Sequence, residues 1–205
     1  MAAASVQATS KPSEIPETQN GETEKYDWTE TVQAHLKIAV VGDRGCGKTC
    51  LILSAKNYIL PDPEENVLSK QYPLDLEMPN KVVAKCMVVD ADARDELKEA
   101  RMDNYRQSDI FLLCFAMDDP NSFKSISEKW VPELKEFLSK RLCLLVGLKQ
   151  DVKERKIITE TGENLKEELK LHKYMECSAY EGINVLSVFR EAANIAFKSE
   201  LLEKE

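Results

Sequence analysis

The residues with the clearest chemistry are Gly42-Asp43-Arg44-Gly45-Cys46-Gly47-Lys48-Thr49, which complete the pattern GxxxxGK[ST]. Glycines let a backbone wrap close to a phosphate. Successive amides and a helix N-terminus then supply fixed positive potential for an anion. Lys48 has the reach for the terminal phosphates of a nucleotide, and the Thr49 hydroxyl can ligate Mg²⁺. The alternative is a glycine turn that binds nothing. The motif by itself does not choose GTP over ATP, or a switch over a kinase.

Such a loop needs a buried strand before it and a helix after it, and both are predicted. Leu36 to Val41 is a short apolar run that ends in Gly42, and a helix should run from Lys48 to about Tyr58. Tyr72, Leu74, Leu76 and Met78 alternate with polar residues or Pro73, which predicts a half-buried edge strand. Val82 to Val89 reads as its hairpin partner, with Pro79-Asn80 near the turn. Ile110 to Met117 is a third buried strand. Asn121 or Ser122 should cap a helix carrying Phe123, Ile126, Trp130, Leu134, Phe137 and Leu138 near one face, bent at Pro132. Leu142 to Val146 is another buried strand, followed by a charged helix around 161–171 and a short strand from Tyr174 to Cys177. A final helix carries Val185, Val188, Phe189, Ala192 and Ala196. Strands alternating with helices predict an α/β fold, a mostly parallel sheet covered on both faces. Ligands of such sheets bind in the crevice beyond the strand C-termini.

Composition narrows the classes. The 205 residues are 43% apolar and 31% charged, with a net charge of −8. That is a globular balance, and it shows no basic patch for nucleic acid. The longest apolar run has eight residues, far below the roughly 20 that a bilayer span needs. No apolar signal core stands at the N-terminus, so a cytoplasmic protein is expected. Six cysteines stand singly with no CxxC pair, which reads as reduced thiols. Residues 1–33 are polar, acidic and Pro-containing and read as a disordered tail; residues 34–199 form the domain and 200–205 a short C-terminal tail.

Several segments in the right order resemble Ras-superfamily small GTPases, closest to the Rho branch. Gly42-Asp43-x-x-Cys46-Gly47-Lys48-Thr49-Cys50-Leu51 resembles the first G-box of that branch. Phe111-Leu112-Leu113-Cys114-Phe115 with Asp118-x-Pro120-x-Ser122-Phe123 resembles its central strand and turn. Glu128-Lys129-Trp130-Val131-Pro132-Glu133-Leu134 resembles the helix that follows, and Tyr174-Met175-Glu176-Cys177-Ser178-Ala179 the last G-box. The resemblance implies a six-stranded sheet with one antiparallel edge strand, GTP and GDP as ligands, and Mg²⁺ as cofactor. It implies a phosphate site over residues 42–50, a base site at Lys149, Asp151, Ser178 and Ala179, and a metal site at Thr49 and Asp90. The partners implied are effector or regulatory proteins of Rho type.

The departures from that pattern are chemical. The family's DxxGQ reads Asp90-Ala91-Asp92-Ala93-Arg94 here. Asp90 is kept, but the glycine that offers an amide to the γ-phosphate is Ala93, and the water-orienting glutamine is Arg94, which donates hydrogen bonds and accepts none. Arg94 is alternatively a plain exposed helix charge, and Arg94 or Arg44 a finger supplied in cis. Arg44 stands where the family usually has glycine and should crowd the catalytic water. NKxD reads Leu148-Lys149-Gln150-Asp151, which keeps the carboxylate that can pair with guanine and loses the asparagine. Tyr180 replaces the usual lysine after Ser178-Ala179. Ser69 is the one hydroxyl between Pro61 and Gln71 that could replace the switch I threonine.

The gap from Asp151 to Ser178 is too short for the extra helix of most Rho proteins. The chain's last residues, Leu201-Leu202-Glu203-Lys204-Glu205, carry no cysteine or basic run, and it starts Met-Ala. No lipid anchor is expected, and membrane contact only through partners. Three readings result: a Rho-like guanine-nucleotide switch with slow or absent hydrolysis, a pseudo-GTPase that works by its surfaces alone, and another P-loop ATPase or kinase.

Overall fold

The computed structural model describes residues 6–7, 32–56, 71–79, 82–138 and 142–202. Strand β1 is Val6–Gln7, β2 Val32–Gly42, β3 Gln71–Met78, β4 Val82–Asp90, β5 Ile110–Ala116, β6 Leu142–Leu148 and β7 Lys173–Glu176. Six of them lie in the order β3-β4-β2-β5-β6-β7. Neighbours are parallel except β3, which runs antiparallel to β4 at the sheet edge. The expected six-stranded mixed sheet is therefore present.

The central strands are apolar without interruption because both faces are covered. In β2, Leu36, Ile38 and Val40 join one core, with Ile52 of α1 (Lys48–Ala55) and Val188 and Phe189 of the last helix. Ala39 and Val41 point the other way, into a core with Phe111, Phe115, Tyr105 and Trp130. The edge strand β3 buries Leu74 and Leu76 while Gln71, Pro73, Asp75 and Glu77 are exposed. Pro73 costs no ladder bond on the side that lacks a partner.

Several details differ from the expectations. Helix α2 (Lys98–Arg106) has no counterpart in the sequence reading, since only Arg101 and Tyr105 are buried on it and its apolar stripe is too thin to see. The helix after β5 is capped by Asp119, not by Asn121 or Ser122. Asp119 accepts from the Asn121 amide, and Pro120 takes the first helical position of α3 (Pro120–Ser125). That helix runs through a π-turn at Ile126–Trp130 into α4 (Val131–Leu138), and the wide turn absorbs Pro132, which has no amide to donate. Within the stretch read as a tail, Val6–Gln7 pairs antiparallel with Gln33–Ala34, and β2 starts at Val32. Helix α5 spans Thr159–Glu168, and α6 (Val185–Leu202) reaches past residue 199. Between Asp151 and Ser178, α5 is the only helix. Tyr26, Trp28 and Ser69 lie outside the described residues.

Candidate nucleotide site

The C-terminal ends of β2, β4, β5, β6 and β7 meet at one edge of the sheet, and the sequence motifs lie there. Gly42 closes β2. A Cβ at this position would stand 2.1 Å from the Cys114 carbonyl oxygen, so no other residue passes β5 here. The chain then turns through Asp43 to Cys46 and enters α1 at Gly47, whose φ of 114° disfavours a side chain. Cys46 is buried beneath the turn with Sγ against the Cys114 carbonyl, and burial pushes its thiol pKa up. Lys48 is buried, and its Nζ donates to the carbonyls of Gly42 at 2.8 Å and Asp43 at 2.9 Å. The ammonium thus lies folded over the loop. Arg44 and Gly45 are exposed on its rim. Cys50 is half-buried; burial raises its thiol pKa and the nearby Lys149 charge opposes that.

The Thr49 hydroxyl hydrogen-bonds the Asp90 carboxylate directly, with Asp90 the last residue of β4. The two predicted metal ligands are therefore adjacent. Among the described residues no group of three or more His, Cys, Asp or Glu could hold a metal unaided. One hydroxyl and one carboxylate suit Mg²⁺, which takes one or two protein oxygens and leaves the rest to water and phosphate.

The loops after β6 and β7 lie against α1 and the Gly47 at its start. Gln150 N–H donates to the Cys177 carbonyl at 3.1 Å, and Ser54 of α1 donates to the Ala179 carbonyl at 3.1 Å. Ser178 is fully buried, with its hydroxyl accepting from the Glu181 amide. Lys149 holds a left-handed backbone, φ 61°, and its Nζ pairs with Asp118 at 3.4 Å. A non-glycine residue held there costs about 1–3 kcal/mol. Asp151 is half-buried, and its carboxylate has no partner among the described residues, which leaves it open to a pair of donors. Leu148 is buried, with its Cδ1 3.4 Å from where a Gly47 Cβ would stand, so it packs on the phosphate loop.

A second cluster, which the sequence reading missed, fastens the chain after β4. Arg101 is 2% exposed and forms a two-pronged ion pair with Glu133 of α4, at 3.1 and 2.9 Å. It also donates to the carbonyls of Asp92, at 2.8 Å, and Arg94. Lys129 reaches the Ala93 carbonyl at 3.4 Å and the Asp95 carboxylate at 2.9 Å. Trp130 links this cluster to the phosphate loop: its Nε1 donates to Asp43 at 2.8 Å, and the cations of Lys129 and Arg101 lie 4.8 and 5.5 Å from its ring centre. Arg94 folds back on Asp92, whose carboxylate accepts from the Arg94 amide and guanidinium. Those bonds, with burial opposing, hold the Asp92 carboxyl below the usual range. A tryptophan and a Pro-Glu pair on a helix facing the phosphate loop were the available signals.

A phosphate loop between a buried parallel strand and a helix, on a doubly covered sheet, defines a P-loop nucleotide-binding domain. The model of the Ras family matches residues 37–198. The human Rho-related GTP-binding protein RhoB is 30% identical over 175 residues, spanning 79% of this chain and 89% of that protein. The chain belongs to the Ras family and is a Rho-like small GTPase by descent.

Proposed function

We propose that this chain binds a guanine nucleotide with Mg²⁺ and hydrolyses GTP weakly or not at all. The observation that carries the reading is the state of Arg94 beside an intact phosphate loop. The loop turn, Lys48 and the Thr49–Asp90 pair keep the parts that grip a polyphosphate. Mg²⁺, when bound, neutralises phosphate charge, and Thr49 and Asp90 are the side chains that would hold it. The Asp151 carboxylate would accept the two donors on the guanine edge, and the Lys149 stem would lie along the ring. Yet at the position after Ala93 no side chain can accept a hydrogen bond from water: Arg94 has donors only, and its Nε and Nη2 are engaged by Asp92. Arg44 adds a long exposed cation at the rim of the loop.

We place the protein in the cytoplasm, with effector or regulatory proteins of Rho type as partners and no nucleic acid. Its thiols are free, and no helix among the described residues is long and apolar enough to cross a membrane. The pseudo-GTPase reading draws on Leu148, which brings no polar group to the base site and packs on Gly47 instead.

Calorimetry with GTP, GDP and ATP separates the readings. Micromolar or tighter guanine-nucleotide binding that is lost in Lys48→Ala supports the binding protein. No binding of either guanine nucleotide supports the pseudo-GTPase, and preference for ATP overturns both. In single-turnover assays Arg94→Gln alone should leave hydrolysis slow, because Arg44 remains; a large gain would show that Arg44 is harmless.

A further inference from the structure

The segment after β4 carries an acid that neither the sequence reading nor the proposed chemistry uses. Asp92 stands two residues beyond Asp90, which touches Thr49, and the Ala91 amide donates to the Val40 carbonyl at 3.0 Å. The segment therefore leaves the sheet beside the entry to the phosphate loop. A nucleoside triphosphate differs from the diphosphate by one more anionic group. In this class of site, Lys48, the metal and the donors of this segment would have to receive it.

Here the Arg94 donors of that segment already serve an anion. The Asp92 carboxylate accepts the Arg94 amide at 3.0 Å, the Arg94 Nε at 3.1 Å and the Nη2 at 2.7 Å. Asp92 is the inner partner of this pair: its side chain is 22% exposed, against 41% for Arg94. The segment cannot readily swing the acid away. The carbonyls of Asp92, Ala93 and Arg94 are held from the α2–α4 side by Arg101 and Lys129, and Arg101 is itself locked to the buried Glu133.

We propose that Asp92 is a specificity-determining residue: its carboxylate, held two residues beyond the Thr49–Asp90 contact and occupying the Arg94 donors, makes the site select guanosine diphosphate over triphosphate. The proposal rests on the nucleotide-binding reading and adds its direction. Such a protein would stay in its diphosphate form even where the triphosphate is abundant, and would need no hydrolysis to return to it.

The test is a competition titration on the full chain. A fluorescent guanine nucleotide is displaced by GDP or by a non-hydrolysable GTP analogue, with Mg²⁺ in excess. Wild type should prefer GDP by about tenfold or more, equivalent to about 1.4 kcal/mol. Asp92→Ala and Asp92→Asn should both bring the two affinities to within about threefold of each other, at nearly unchanged GDP affinity. The asparagine keeps an acceptor for the Arg94 amide, so it removes charge with little change in shape and covers the case where the alanine fails to fold. A GDP preference that survives in both variants overturns the proposal. So does a wild type that prefers the triphosphate, which would mean that Arg94 releases Asp92 and turns to the third phosphate. If wild type binds neither nucleotide, the nucleotide reading falls and this proposal with it.

Discussion

Removing one partner of the Arg101–Glu133 pair should unbalance the centre of the molecule. Both side chains are almost fully buried, at 3% and 7% exposure, and Glu133 also accepts from the Tyr105 hydroxyl at 3.1 Å. Glu133→Ala leaves the Arg101 cation buried, with carbonyls, the Tyr105 hydroxyl and the Trp130 ring around it. Breaking a buried pair from one side costs about 3–5 kcal/mol. At about 2–4 °C per kcal/mol for a domain of this size, the melting temperature should fall by about 6–20 °C. Arg101→Met should cost a similar amount, because the carboxylate is then stranded beside Tyr105. The double variant Arg101→Met/Glu133→Leu removes both charges and should be less destabilised than the sum of the single variants by about 2 kcal/mol or more. Urea melts of the four proteins give the cycle. Amide exchange should also rise at residues 92–94 in both variants that lack Arg101, since their carbonyls lose its donors. Additive losses in the cycle would refute the reasoning, because they would mean the two charges stand in water-like surroundings and do not depend on each other.

Three further outcomes are expected. Leu148→Asn should restore a polar contact at the base site and tighten guanine-nucleotide binding by one to two decades, on the basis of about 1–3 kcal/mol for a buried hydrogen-bonding group; calorimetry that shows no gain would mean the wall after β6 never meets the base. Gly162→Ala lies inside α5, where alanine ordinarily stabilises by about 1 kcal/mol, but its Cβ would stand 2.2 Å from the Tyr174 ring, so a loss of about 1–3 kcal/mol is expected in thermal melts and a gain would refute it. Glu176 is raised by burial, but hydrogen bonds from Thr159, Tyr174 and Arg155 outweigh that and leave its carboxyl below the usual value. The folded protein then binds fewer protons there than the unfolded chain, so this stability is present above about pH 4.3 and is lost as the pH falls through the folded value; Glu176→Gln should flatten the acid limb of stability against pH, and parallel curves would count against it.

The elements were legible where burial acts on backbone and side chain together. β2, β5 and β6 are continuous apolar runs because they are covered on both faces, and β3 alternates because it is not. Helix α2 was not legible, because what it buries is a charge. Arg101 counts as polar in any periodicity, yet it is 2% exposed, and only its partner on α4 makes that possible. The same holds in the site. Gly42, Lys48, Thr49, Asp90, Lys149 and Asp151 were read from local spacing and stand around one edge of the sheet. The site contacts of Asp92, Asp118 and Trp130 were not read, because each acts through a residue distant in sequence: Asp92 is held through Arg101, Asp118 meets Lys149, and Trp130 meets Asp43.

That difference bears on how such a site decays. A phosphate grip made of backbone amides survives most side-chain replacements, since every residue but proline carries an N–H. Here the turn keeps Gly42, Gly45 and Gly47, and Arg44 can stand in it without removing a donor. Hydrolysis depends on side chains of one type at one place, so a single replacement there is enough to weaken it. Base recognition would lie between these, with the Asp151 carboxylate as its proposed acceptor and neighbours that contribute by contact. Nucleotide binding should therefore tolerate substitution at Asp43, Arg44 and Cys46 far better than at Lys48 or Asp151, and alanine variants at those three positions that each abolish binding would show that the grip is made by side chains.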